Sequence, residues 1–199
     1  MTILLAGAAL AGCAGQTAPP PAVTPVASEP TPGPGTSPYG LFLAGQAARD
    51  AGQLGASAAY LGRAASTAGE PTYVRIEAFD AALRAGDVSA AAALAPALDD
   101  PNLAARRLGV LVRGVEAMAS GRDKDAYALL TSPDAGFPHK AMAQLLAPFA
   151  AAGAGDAAHA TVRPQMGADG VGQFVADLDQ ALLDERLGRF EDADAAFRT

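Results

Sequence analysis

Ala85-Gly86-Asp87-Val88-Ser89-Ala90-Ala91 is the stretch that decides the fold, because its pattern recurs along the chain at a nearly fixed spacing. A glycine between two amphipathic runs stands at five positions, Gly52, Gly86, Gly121, Gly155 and Gly188. Successive positions differ by 34, 35, 34 and 33 residues. A nearly constant period of this length is typical of arrays built from pairs of helices.

Residue types at fixed offsets from each glycine support the repeat. Five positions after the glycine the residue is always small: Ser57, Ala91, Ala126, Ala160 and Ala193. Ten positions before it the residue is always large and apolar: Phe42, Ile76, Leu111, Leu145 and Leu178. Thirteen positions before it, apolar or aromatic residues stand in all five units: Tyr39, Tyr73, Leu108, Met142 and Val175. Two such offsets, three residues apart, form one stripe along a helix.

Each unit is predicted to be a helix that carries the stripe, a left-handed glycine that ends it, and a second helix that packs back. Four positions before the glycine the residue is small in four of the five units, which lets the helix backbones approach closely. Pro96 and Pro164 are expected to shorten second helices, and Pro148 to kink the first helix of the fourth unit. The clearest predicted helix pairs are 39–51 with 54–67, 72–85 with 88–98, and 103–120 with 123–130.

The pattern resembles the tetratricopeptide repeat family over residues 39–199, where a turn glycine is followed five residues later by a small residue. The matching pairs are Gly86 with Ala91, Gly121 with Ala126, and Gly188 with Ala193, and Pro71, Pro101 and Pro138 fall at unit boundaries. The family's tryptophan is absent, so the array is degenerate. The resemblance implies an all-α solenoid of about five helix-turn-helix units whose first helices line a concave surface that binds a peptide or protein segment.

The stripe supplies the candidate partner-binding residues: Tyr39, Phe42, Tyr73, Ile76, Leu108 and Leu111. The alternative is that the stripe is core, and we expect this for most of its members because apolar stripes usually face inward. Tyr39 and Tyr73 are the residues we expect in the groove, because tyrosine combines a large contact area with a polar tip.

The first 38 residues carry a different signal. The apolar run from Ile3 to Leu10 is too short to span a bilayer and is typical of an export signal over residues 1–12. Leu10-Ala11-Gly12-Cys13 resembles a bacterial lipobox, which implies a lipid on Cys13. Ala14 at the next position, rather than aspartate, implies the outer membrane, facing the periplasm. The alternative is a buried N-terminal helix with an incidental cysteine.

Residues 13–38 follow as a tether that contains eight prolines. Such a segment has too little apolar surface to fold and is expected to be disordered and extended. At the other end the sequence stops at Thr199 within a predicted second helix, so we expect the repeat domain to be truncated there.

No catalytic set is visible, and no metal or cofactor is expected. His139 and His159 are the only histidines of the sequence, and they have no partners at metal-ligand spacing, so we expect surface or capping roles. Arg106, Arg107 and Arg113 are expected to form ion pairs on a helix surface rather than to bind an anion. A net charge of −7 argues against a general nucleic-acid binder.

Two functions of different class remain. The first is a non-enzymatic scaffold of the bacterial cell envelope, anchored through Cys13, that binds a protein or peptide partner. The second is the repeat portion of an enzyme acting on envelope polysaccharide or peptidoglycan, with its catalytic domain beyond residue 199. The sequence leaves the oligomeric state open.

Overall fold

The computed structural model describes residues 37–67, 71–167 and 169–198. The regular elements in these ranges are all helices. In chain order they are α1 (Pro38–Asp50), α2 (Leu54–Ala65), α3 (Thr72–Arg84), α4 (Val88–Leu94), α5 (Leu103–Ala119), α6 (Asp123–Leu130), α7 (Lys140–Gly153), α8 (Ala157–Ala160), α9 (Gly170–Arg186) and α10 (Phe190–Phe197). Within the described ranges, no helix combines the length and the apolar character needed to cross a bilayer. The predictions for the signal, for Cys13 and for most of the tether concern residues 1–36, which lie outside the described residues.

One turn is built five times, and it is the turn predicted from the glycine spacing. The five glycines have φ values of 73°, 75°, 70°, 78° and 76°, the left-handed region that glycine enters without steric cost. After each glycine, the next backbone N–H donates to the carbonyl four residues before that glycine. In the second unit this bond runs from Asp87 N to Ala82 O at 2.9 Å. Each bond satisfies a carbonyl at the end of the first helix, so the chain reverses at the same point in every unit.

Consecutive helices pack on one another along most of the chain, and α7 additionally contacts both α5 and α9. The fourth unit is the exception, because α8 has only four residues and ends before Pro164. Pro96 likewise limits α4, which ends at Leu94 rather than at the expected residue 98. Pro148 is buried within α7, and the helix continues through it.

The interior where paired helices cross is made mainly of small residues. Every residue four positions before a turn glycine, and every residue five positions after one, is buried, Asp184 included. The contact is close in the first unit, where an added Cβ on Gly45 would lie 2.5 Å from Cγ of the buried Leu61. Ser57 Oγ donates to the Gly45 carbonyl at 2.9 Å in the same buried contact. The small residues therefore allow the paired helices to approach closely, with Leu61 packed directly against the Gly45 backbone.

Candidate functional site

The apolar stripe forms an accessible surface on the first helices of the five units. We call the ten stripe residues on α1, α3, α5, α7 and α9 the odd-helix face. None of the ten is buried, and Tyr39 and Tyr73 are 70% and 56% exposed. Our expectation that most of the stripe would be core is therefore wrong. The physical reason is that small residues on another side of the same helices already fill the crossing, which leaves the large side chains outside it.

The first two odd-numbered helices meet directly on this face. The rings of Phe42 and Tyr73 lie edge to face, with centroids 5.7 Å apart and planes at 89°. Next to them the Glu77 carboxylate accepts from Gln46 Nε2 at 3.1 Å and from Arg49 Nη1 at 2.8 Å. These contacts bring the predicted aromatic residues of separate units onto one surface. The ion pair between Arg49 on α1 and Glu77 on α3 also holds the two helices together.

The other predicted binding residues differ in how far they protrude. Ile76 is exposed on α3. Leu108 and Leu111 are half-buried, and they pack against the clusters around Phe79 and Val110 respectively. Tyr39, Tyr73 and Ile76 are therefore the accessible members of the predicted set, while Phe42, Leu108 and Leu111 form its half-buried wall.

Farther along the chain, a cavity of about 540 Å³ opens between three odd-numbered helices. Met118 and Phe149 lie seven and four residues after the stripe residues Leu111 and Leu145, so helical periodicity places the cavity on the odd-helix face. Sequence reasoning missed this site, although continuing the stripe by two turns on α5 leads to Met118, and by one turn on α7 to Phe149. Six of its lining residues are Met118 on α5, Asp123 on α6, Leu146 and Phe149 on α7, and Asp179 and Arg186 on α9.

The charged groups of this cavity are not paired with one another. The side chains of Asp179, Asp123 and Arg186 form no hydrogen bond or ion pair with any residue in the described part of the chain. Burial raises the pKa of the Asp179 carboxyl above its ordinary value, because removal of water disfavours the charged form. Gly153 lies beneath Asp123, and a Cβ added to this glycine would collide with the carboxylate. The cavity thus combines apolar walls with carboxylates that lack a counter-ion.

The two histidines have the local roles that we expected. His139 precedes the first residue of α7. His159 Nδ1 lies 2.6 Å from Asp156 Oδ2, and its ring is 5.3 Å from that of Tyr127. The hydrogen bond from His159 holds the pKa of the Asp156 carboxyl below its usual range. In the ranges that the structure describes, no group of three or more His, Cys, Asp or Glu side chains is arranged to hold a metal ion.

The three arginines of α5 correct one prediction. Arg106 approaches Asp134 at 3.7 Å, as expected for an ion pair. Arg107, however, donates to the Phe137 carbonyl at 2.7 Å, and Arg113 donates to the Pro96 carbonyl at 2.9 Å. The reason is that non-helical carbonyls near α5 need donors, and long guanidinium side chains reach them. Burial lowers the pKa of Arg113, and the positive charge of nearby Arg75 adds to this effect.

Comparisons of the chain with protein families, with characterised proteins and with solved structures find no match.

Proposed function

We propose that the odd-helix face binds an extended or helical segment of a partner protein, and that the chain is a tetratricopeptide-like α-solenoid scaffold. One observation carries the proposal: none of the ten apolar or aromatic residues at constant spacing is buried, while mainly small residues fill the helix crossings. Exposed apolar surface beyond single scattered residues is a mark of interaction sites. Tyrosines that keep a polar tip in water are well suited to such surfaces.

The binding experiment compares two exposed aromatic residues on different helices. A peptide array, a library of peptides spotted on a membrane, is probed with the full-length wild-type protein. The dissociation constants of the peptides that bind are then measured for the wild type, Tyr73→Ala and Phe190→Ala. Tyr73 belongs to the odd-helix face, whereas Phe190 is 68% exposed at the start of α10 and does not. We expect Tyr73→Ala to weaken binding about 30-fold, as truncation of a central aromatic contact does, and Phe190→Ala to leave it unchanged.

Equal melting temperatures of the three proteins are the control for folding. Unchanged affinity of every retained peptide for Tyr73→Ala would exclude Tyr73 as a contact. Failure of the wild-type protein to retain any peptide would refute peptide binding by this face.

The envelope location rests on the sequence of the first 13 residues, in which Leu10-Ala11-Gly12-Cys13 resembles a lipobox. We propose that a lipid on Cys13 holds the protein on the outer membrane, with the helices in the periplasm. Labelled palmitate fed to bacterial cells should enter the wild-type protein and not Cys13→Ala. Equal labelling of both proteins would exclude this anchor without affecting the binding proposal. The alternative of an enzyme with a catalytic domain beyond residue 199 stays a prediction from the sequence.

A further inference from the structure

The cavity between α5, α7 and α9 is large enough to admit a long side chain of a bound segment. Its volume of about 540 Å³ lies within the range of about 300–1,000 Å³ that ligand pockets occupy. Met118, Leu146 and Phe149 provide apolar walls. Methionine adapts its shape to what it contacts, and an aromatic ring can also attract a cation. The walls therefore suit a long side chain with an apolar stem.

The charged residues of the cavity determine which charge the end of that side chain should carry. Asp123 and Asp179 contribute two carboxylates, and Arg186 contributes one guanidinium. Asp179 is half-buried, and its carboxylate has no hydrogen-bond or ion-pair partner in the described part of the chain. Arg186 is exposed to solvent at the edge of α9. Two carboxylates against one guanidinium leave the lining of the cavity with a net negative charge, and the whole chain, at −7, has the same sign.

We propose that the cavity accepts a lysine or arginine side chain of the segment that the odd-helix face binds. The methylene groups of that side chain lie against Met118 and Leu146, and its charged end lies between the carboxylates of Asp123 and Asp179. This inference rests on the proposed function and adds to it the chemistry of the partner: an apolar segment that carries a basic residue. A segment with an acidic residue at this position is disfavoured, because its carboxylate would enter a cavity that already holds two.

Two features of the fold place the carboxylates. Asp123 is the first residue of α6, directly after the second residue of the glycine turn, so its position is fixed by that turn. Its carboxylate lies over Gly153 near the end of α7, where a Cβ would displace it. Asp179 is held on α9, which packs on α7. The site therefore forms only when the third, fourth and fifth units are stacked.

The test uses three peptides that differ at one position. Each is a fluorescein-labelled twelve-residue peptide with leucine and phenylalanine anchors and a central lysine, glutamine or glutamate. Fluorescence anisotropy gives the dissociation constants for the full-length wild type, Asp179→Asn and Asp50→Asn. Asp50→Asn changes the net charge equally but lies on α1, far along the chain from the cavity. Because burial disfavours the charged carboxylate, Asp179→Asn is expected to keep or raise the melting temperature.

We expect the wild type to bind the lysine peptide at least about tenfold more tightly than the glutamine peptide, the scale of a hydrogen bond to a charged group. Asp179→Asn should lose most of this preference, and Asp50→Asn should keep it. Gly153→Ala, which displaces the Asp123 carboxylate without removing a charge, should also reduce it.

Each other result has a definite meaning. Equal binding of the lysine and glutamine peptides to the wild type would overturn the cavity proposal, and if Tyr73→Ala still weakened both, the binding function would stand. A preference for the glutamate peptide would show that Arg186 governs the cavity and would also overturn it. Binding of none of the three peptides would overturn the proposal for the cavity, and the array experiment with Tyr73→Ala would then decide separately on the odd-helix face.

Discussion

Replacement of Gly45 by alanine tests the close helix crossing on which the fold depends. In an open helix this change stabilises by up to about 1 kcal/mol, because alanine is the better helix former. Here the new Cβ would lie 2.5 Å from Leu61 Cγ, 2.9 Å from Leu61 Cδ2 and 3.3 Å from Leu61 N. Leu61 is completely buried and one of these atoms is backbone, so the side chain cannot move aside cheaply. Overpacking of this kind costs about 1–3 kcal/mol.

The crowding at Leu61 places Gly45→Ala near the upper end of that cost, so we expect a net loss of about 1–2 kcal/mol after the gain in helix propensity. For a chain of this size, that lowers the melting temperature by about 2–8 °C. Gly62→Ala is the matched control, because Gly62 also lies inside a helix, α2. Apart from its chain neighbours and the backbone of its own helix, no atom lies within 4 Å of the position that its Cβ would take.

The control variant should raise the melting temperature by about 2–4 °C. Thermal melts followed by circular dichroism, together with urea titrations, measure both variants in the full-length protein. If Gly45→Ala stabilised the protein as much as Gly62→Ala, the two helices would not cross as closely as the structure shows.

Two further predictions concern the turns. Gly86→Ala should lower the free energy of unfolding by about 1–2 kcal/mol because of its φ of 75°. The cost comes from the backbone alone, since no atom lies within 4 Å of the new Cβ. Gly86→Asn should lose less stability in the same urea titration, because asparagine tolerates this conformation better. Asp156 should titrate below its ordinary pKa in carbon-detected NMR spectra, and His159→Gln should move the value back towards normal. Because the folded-state pKa is the lower one, the stabilisation from Asp156 is complete above the unfolded-state pKa and disappears as the pH falls through the folded-state value. An unshifted Asp156 in the wild type would contradict the hydrogen bond to His159.

The turns of the fold were predictable because they depend on local chemistry. Gly86 and its four equivalents adopt a left-handed conformation that glycine enters without steric cost, so the glycines themselves mark the turns in the sequence. The small buried residues at fixed offsets from these glycines were predictable from the same repeat, except at Asp184. Local rules also explain the short second helices, since Pro96 and Pro164 limit α4 and α8.

The direction in which the stripe faces was not predictable from periodicity. Tyr73 and Val74 are adjacent in α3, yet the larger residue is exposed and the smaller one is buried. The size and hydrophobicity of the stripe residues favoured their burial in the core. Which residues are buried instead depends on how closely the paired helices approach, and that is a property of the assembled pairs. The same holds for Asp179, whose burial depends on helices that are distant in sequence.

The shortness of α8 divides the array into segments of unequal cooperativity. Elsewhere the second helix of a unit packs on the first helix of the next, but α8 makes hardly any contact with α9 beyond a hydrogen bond from Gln180 Nε2 to the Ala160 carbonyl. The fifth unit is therefore held mainly through α7. Amide hydrogens of α9 and α10 should exchange with solvent through a local opening that leaves α1 to α7 intact, with residues 161–167 serving as the hinge.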